Sequence, residues 1–207
     1  MTEIRLHQGD ISAADAARYT GEIAIDTETL GLVPRRDRLC VVQLSPGDGS
    51  ADVIQIAAGQ TEAPNLVALL TDPGKRKIFH FGRFDIAVLY QAFGIVCEPV
   101  FCTKIASRLS RTYTDRHGLK DVTKELLDID LSKQQQSSDW AAETLTAAQL
   151  EYAASDVLHL HALAGKLTER LARDGRLEHA EACFTFLPTR ARLDLLGWEE
   201  ADIFAHS

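Results

Sequence analysis

Through the first half of the chain, short apolar runs rich in Ile, Val and Phe alternate with longer stretches whose apolar positions recur every three or four residues. The short runs predict strands at 4–7, 22–28, 38–44, 52–56, 77–81 and 100–102, because β-branched and aromatic side chains suit a pleated, half-buried surface. Asp10, Ile11 and Ser12 form a start signal for a helix reaching Tyr19, and Pro64 opens another through residue 70. A third helix is expected over 82–93, where Gly94 can close it in a left-handed conformation. After about residue 103 the pattern turns helical, with elements at 104–110, 119–127, 146–173 and 177–187.

This order predicts an α/β fold: antiparallel strands first, then crossover units that add parallel ones. The result would be a mixed central sheet flanked by helices, with a helical second half. No Pro/Gly/Ser-rich linker, repeat or low-complexity tract interrupts it, so a single domain over 1–207 is expected.

Composition adds exclusions. With 45% hydrophobic and 25% charged residues, wholesale disorder is ruled out. Pure apolar runs reach only five residues, whereas a membrane span needs about 20. The N-terminal stretch carries Glu3, Arg5, Asp10 and Asp15 instead of an apolar leader, so a cytoplasmic protein without a membrane partner is expected. The cysteines at 40, 97, 102 and 183 include no C-x-x-C and read as small hydrophobes. A net charge of −8 lacks the basic footprint of a protein that grips long nucleic acid by its backbone alone. A local exception lies between 104 and 124, where six basic residues face two acids.

Candidate chemistry begins at 23–29, where Asp26 and Glu28 stand two apart at a strand end and so share a face. Neighbouring carboxylates repel unless a cation lies between them, and hard oxygen donors suit Mg²⁺ or Mn²⁺. The plainer alternative is a strand running out into solvent. Asp85 falls in the first turn of the third helix, as a ligand or as an acid favoured by the macrodipole. Tyr152 and Asp156 are four apart on one helical face. Each is weak evidence alone. Together, four carboxylates converging on one pocket would demand divalent cations. Two metals about 3.5–4 Å apart could offset that charge and clamp a phosphodiester displacement.

In this order, Asp-x-Glu at 26/28, the acid of His80-Phe81-Gly82-Arg83-Phe84-Asp85 and Tyr-x-x-x-Asp at 152/156 resemble the three exonuclease motifs of the DEDD superfamily, Tyr-bearing branch. Gly118-Leu119-Lys120, Lys133-Gln134-Gln135-Gln136, Ser138-Asp139-Trp140 and the stretch 152–157 resemble the ribonuclease D catalytic domain. The compact length, the 26–32 run and the 133–140 segment are most similar to NrnC-type nanoRNases. The resemblance implies an RNase-H-like sheet and a 3′→5′ exonuclease that cuts very short RNAs, dinucleotides included, to 5′-mononucleotides. It implies two divalent cations on Asp26, Glu28, Asp85 and Asp156, a water-orienting Tyr152, ring-like homo-octamers and no helical accessory domain. Ribonuclease D-like trimming of longer RNA, or exonuclease action on DNA, is the alternative. A catalytically dead binding module is disfavoured because all five residues are present.

On the substrate side, Thr29 belongs to the first motif. By its resemblance to the similar oligoribonucleases, Leu32 stands where a residue wedges between two bases; the alternative is an ordinary leucine of the loop or core. His80 is read as a contact to the 3′-terminal sugar or as a hydrogen-bonded core histidine. Lys133, Gln134, Ser137 and Ser138 are candidate 5′-phosphate donors or simply a polar loop. Arg35, Arg36 and Arg38 form a basic spot for substrate or for a neighbouring subunit's acids, and His117, His159 and His161 read as surface or core residues. Leu193, Leu195, Leu196, Trp198, Ile203 and Phe204 load the last residues with apolar surface, and a subunit contact is expected there.

Overall fold

The computed structural model describes residues 2–132 and 134–206. Its first half contains β1 (Glu3–Gln8), α1 (Ala13–Ala16), β2 (Ile23–Thr29), β3 (Leu39–Ser45) and β4 (Ser50–Gln55). These are followed by α2 (Pro64–Thr71), β5 (Lys77–Phe79), α3 (Arg83–Phe93) and β6 (Val100–Cys102). Then come α4 (Thr103–Ser110), α5 (Leu119–Leu127), α6 (Ala147–Leu158), α7 (Leu160–Arg173) and α8 (Leu177–Leu193), ending in a π-helical turn over Asp194–Trp198.

The strands form one mixed sheet in the order β1-β4-β3-β2-β5-β6. β2, β3 and β4 make an antiparallel meander, while β5 and β6 add in parallel beyond β2. β1 departs from the expected antiparallel start, pairing in parallel with β4 at the far edge. The connection through α1 is long enough to carry the chain across the sheet, so β1 and β2 need not be neighbours. Every residue of β3 and β4 is buried; β3 accordingly reads as a nearly continuous apolar run, while β4 also buries Ser50, Asp52 and Gln55. One face packs in the main core, with Ile25, Val42, Leu44 and Ile54. The other holds a smaller cluster of Cys40, Val41, Val53, Trp140, Leu145 and Ala153.

Several boundaries differ from the sequence reading. α1 ends at Ala16 instead of reaching Tyr19. β5 stops at Phe79 because Phe81 takes a left-handed φ of 68° and Gly82 packs so closely that a Cβ there would lie 2.7 Å from Phe79 Cβ. The helix expected over 146–173 divides at His159, whose φ and ψ of −106° and −3° leave helical geometry. α6 is thus a separate rod, started by a capping box between Thr146 and Gln149. α8 runs past residue 187 with Pro188 inside it, held by the burial of Leu187 and Ala191. Cys40, Cys97 and Cys102 are buried, but Cys183 is exposed on α8, contrary to the core role expected for it. No helix among the described residues is long and apolar enough to cross a membrane.

Candidate active site

The site begins at the end of β2. Strand alternation sends Asp26 and Glu28 to one face and Thr27 to the other. Thr27 Oγ1 donates 2.7 Å to Asp85 Oδ1 in the first turn of α3, which fastens that helix against the strand. From across the sheet, α6 brings Tyr152 and Asp156. Asp26, Glu28 and Asp156 each present a carboxylate oxygen, all within 4.8 Å of one another. Asp85 stands buried behind this trio.

Crowding sets the electrostatics. Burial, then Asp85, Asp156 and Glu28, drive the Asp26 carboxyl well above its usual range. Burial followed by Asp156 and Asp85 lifts Glu28 to about 9. Burial raises Asp85 to about 7 against the opposing Thr27 hydrogen bond. Asp156 rises to about 7 for the same leading reason, with the Tyr152 phenol acting the other way. Burial and the surrounding acids also raise the Tyr152 phenol, so it keeps its proton at neutral pH. The donor set is all carboxyl oxygen, and its members hold their protons for want of a counter-charge, which fits hard divalent cations.

A cleft of about 630 Å³ opens over the acids. Asp26, Glu28, Tyr152 and Asp156 line it, as do Thr29, Leu32, His80, Ser137 and Ser138. Leu32 is 86% exposed, which removes the core alternative for it. His80 takes both suggested positions at once: it lies on the cleft wall, yet its Nδ1 is 2.8 Å from Thr103 Oγ1 and its Nε2 is enclosed. Burial and nearby Lys104 push its pKa down to about 3, so the ring is neutral. Gln134 is exposed and does not line the cleft, whereas Gln136 does. Lys133 lies outside the described residues.

The basic spot after Leu32 is consumed within the chain: Arg35 pairs with Glu199, Arg36 with Asp37, and Arg38 donates to the carbonyls of Leu39 and Ile56. His117 sits 2.9 Å from Ser107 Oγ, and His161 3.0 Å from the Glu22 carbonyl. A second cluster, His7, Asp15 and Asp52, is neutralised where Arg18, Tyr19 and His7 all bond Asp52.

Sequence reasoning missed Phe81, Phe84, Lys104, Lys120, Leu131 and Trp140 as cleft walls. The phenylalanines read as strand and helix core; Phe84 does pack partly against the main core, whereas Phe81, in a left-handed turn, is exposed. Gln43 was also missed. It pairs in register with Asp26 on the neighbouring strand, fully buried, and neither end of its amide has a partner among the described residues.

Comparison with known proteins bears directly on this geometry. Residues 10–172 match a family described as 3′–5′ exonuclease. Ribonuclease D of Gluconacetobacter diazotrophicus is 36% identical over 156 residues, covering 75% of this chain and 39% of that protein. The chain thus spans about two fifths of the length of that curated relative. A nuclease solved in apo form superposes with a TM-score of 0.98 at 77% identity over 100% of both chains. Brucella melitensis NrnC bound to pGG superposes at 0.96 with 67% identity over 100% of both, and the same protein has been solved with bound Mg²⁺.

Proposed function

The chain belongs to the 3′–5′ exonuclease family, and on that premise we propose that it hydrolyses very short oligoribonucleotides, dinucleotides included, to 5′-mononucleotides with two divalent cations, Mg²⁺ or Mn²⁺. The observation that carries this reading is the meeting of carboxylates from β2 and α6 at the floor of one cleft. Asp26, Glu28 and Asp156, with Asp85 behind them, would hold the cations, which when bound activate water and offset charge on the phosphodiester.

The chain's own groups divide the remaining work. Tyr152 keeps its proton, so it holds the attacking water by a hydrogen bond and does not act as the base. Neutral His80 sits beside the terminal sugar, and Leu32 separates the bases. Thr29 belongs to the same substrate-contacting wall. Ser137, Ser138 and Gln136 on the cleft wall would bond the 5′-phosphate. The exposed Leu196, Trp198, Ile203 and Phe204 provide an apolar surface for a homo-oligomer, an octamer by resemblance.

Two observations support a short substrate. The cleft's volume falls in the small-ligand range of about 300–1,000 Å³. The full-length likeness to a protein solved with pGG points the same way. Trimming of longer RNA or DNA is favoured by the ribonuclease D relatives and by Lys104 and Lys120 on the cleft wall. Cleavage of a 5′-labelled RNA dinucleotide, a much longer RNA and a duplex DNA, each with Mg²⁺, decides between them. Faster cleavage of the long substrates would overturn the short-substrate reading.

A further inference from the structure

Phe81 combines three features that a core residue does not need. Its φ of 68° is a left-handed conformation that a bulky side chain adopts at a cost and only where its surroundings enforce it. The enforcing contacts are on both sides: the Phe81 carbonyl accepts 3.1 Å from Phe84 N–H, and Gly82 is pressed against Phe79. Instead of being buried, the ring is 45% exposed, and it faces the cleft that contains the acids. Lys104, another cleft residue, places its Nζ 4.2 Å from the ring centroid. A strained backbone thus presents an aromatic face, flanked by an ammonium, to the place where a nucleotide would lie.

We propose that Phe81 is a stacking platform for one nucleobase of the substrate, with Lys104 anchored over the ring so that its charge stays near the adjoining phosphate. The inference rests on the exonuclease reading and adds to it a residue that grips the base rather than the phosphate. Every nucleobase has a π-face, so such a platform holds terminal bases with little preference among them. The strained turn is then explained by function: a relaxed residue 81 would continue β5 and direct its side chain elsewhere.

The test compares wild type with Phe81→Ala, Phe81→Trp and Phe81→Gly in the full chain. The ligand is an RNA dinucleotide with a non-hydrolysable methylenephosphonate linkage, titrated calorimetrically beside two analogues, each lacking one of the bases. Loss of base–aromatic stacking predicts that Phe81→Ala weakens binding about 5- to 150-fold, while Phe81→Trp binds like wild type. For the analogue lacking the stacked base, wild type and Phe81→Ala should bind equally. Phe81→Gly should also lose affinity while its melting temperature holds or rises, since glycine adopts this φ freely. A core role would instead lower the melting temperature. Unchanged dinucleotide affinity in a folded Phe81→Ala overturns the proposal. Wild-type protein that neither binds nor cleaves the dinucleotide, yet degrades longer RNA, would instead overturn the short-substrate reading.

Discussion

At the scale of single residues, the acids and their neighbours make opposite predictions for stability and activity. Asp26→Asn and Asp156→Asn should each lower turnover by about 10²-fold or more. Both should nevertheless raise the melting temperature in EDTA at pH 9, because each takes one carboxyl out of a buried set whose members repel as they ionise. Near-normal turnover in either purified variant would remove that residue from the cation site. Gln43 makes a different test. A buried amide without partners costs about 1–3 kcal/mol, so Gln43→Leu should leave stability in EDTA unchanged or improved. A marked loss on urea titration would show that the amide is already bonded in the folded protein.

At the scale of elements, β2, α3 and α6 were legible in the sequence because their patterns were simple: alternation ending in Asp26 and Glu28, a glycine-closed helix with Asp85, and an i,i+4 pair at Tyr152 and Asp156. The separation of α6 from α7 was not legible, since the apolar spacing runs unbroken through His159 and only the backbone there reveals the break. The place of β1 was hidden for another reason: pairing partners depend on the path of a connection, which periodicity does not record. The cleft walls formed by Phe81 and Trp140 were equally silent, because an apolar residue reads the same whether it faces a core or a ligand. The independence of α6 has a measurable result. Its capping box stands alone at the start of the rod that carries two site residues, so Thr146→Ala should cost about 0.5–2 kcal/mol in urea unfolding. Activity should fall in parallel; an unaltered unfolding midpoint would deny the cap its role.

At the scale of the whole molecule, the acid cluster makes stability depend on pH and cations. The folded-state pKa values of Glu28, Asp85 and Asp156, about 9, 7 and 7, lie above their ordinary values of 4.5, 3.8 and 3.8. Between those limits the folded protein binds more protons than the unfolded chain. The contribution of these groups is therefore complete below about pH 4 and is lost as pH rises through 7 to 9. In EDTA the melting temperature should decline from pH 5 to 9, less steeply in Asp156→Asn. The stabilisation by Mg²⁺ should grow over the same interval, because the cation replaces the departing protons. A metal-free melting temperature that is flat or rising with pH would contradict the crowding on which the site is built.

The hydrogen bond from Thr27 to Asp85 ties the two faces of β2 into one arrangement. Side chains alternate along a strand, so a one-residue slip of β2 would turn the Asp26 and Glu28 side chains away from Asp156 and take the Thr27 hydroxyl out of reach of Asp85. The same slip would release Asp85 from its only side-chain anchor among the described residues. Neighbouring registers of β2 are thus disfavoured by charge as well as by packing, so the pairing that aligns the strand also assembles the acid cluster.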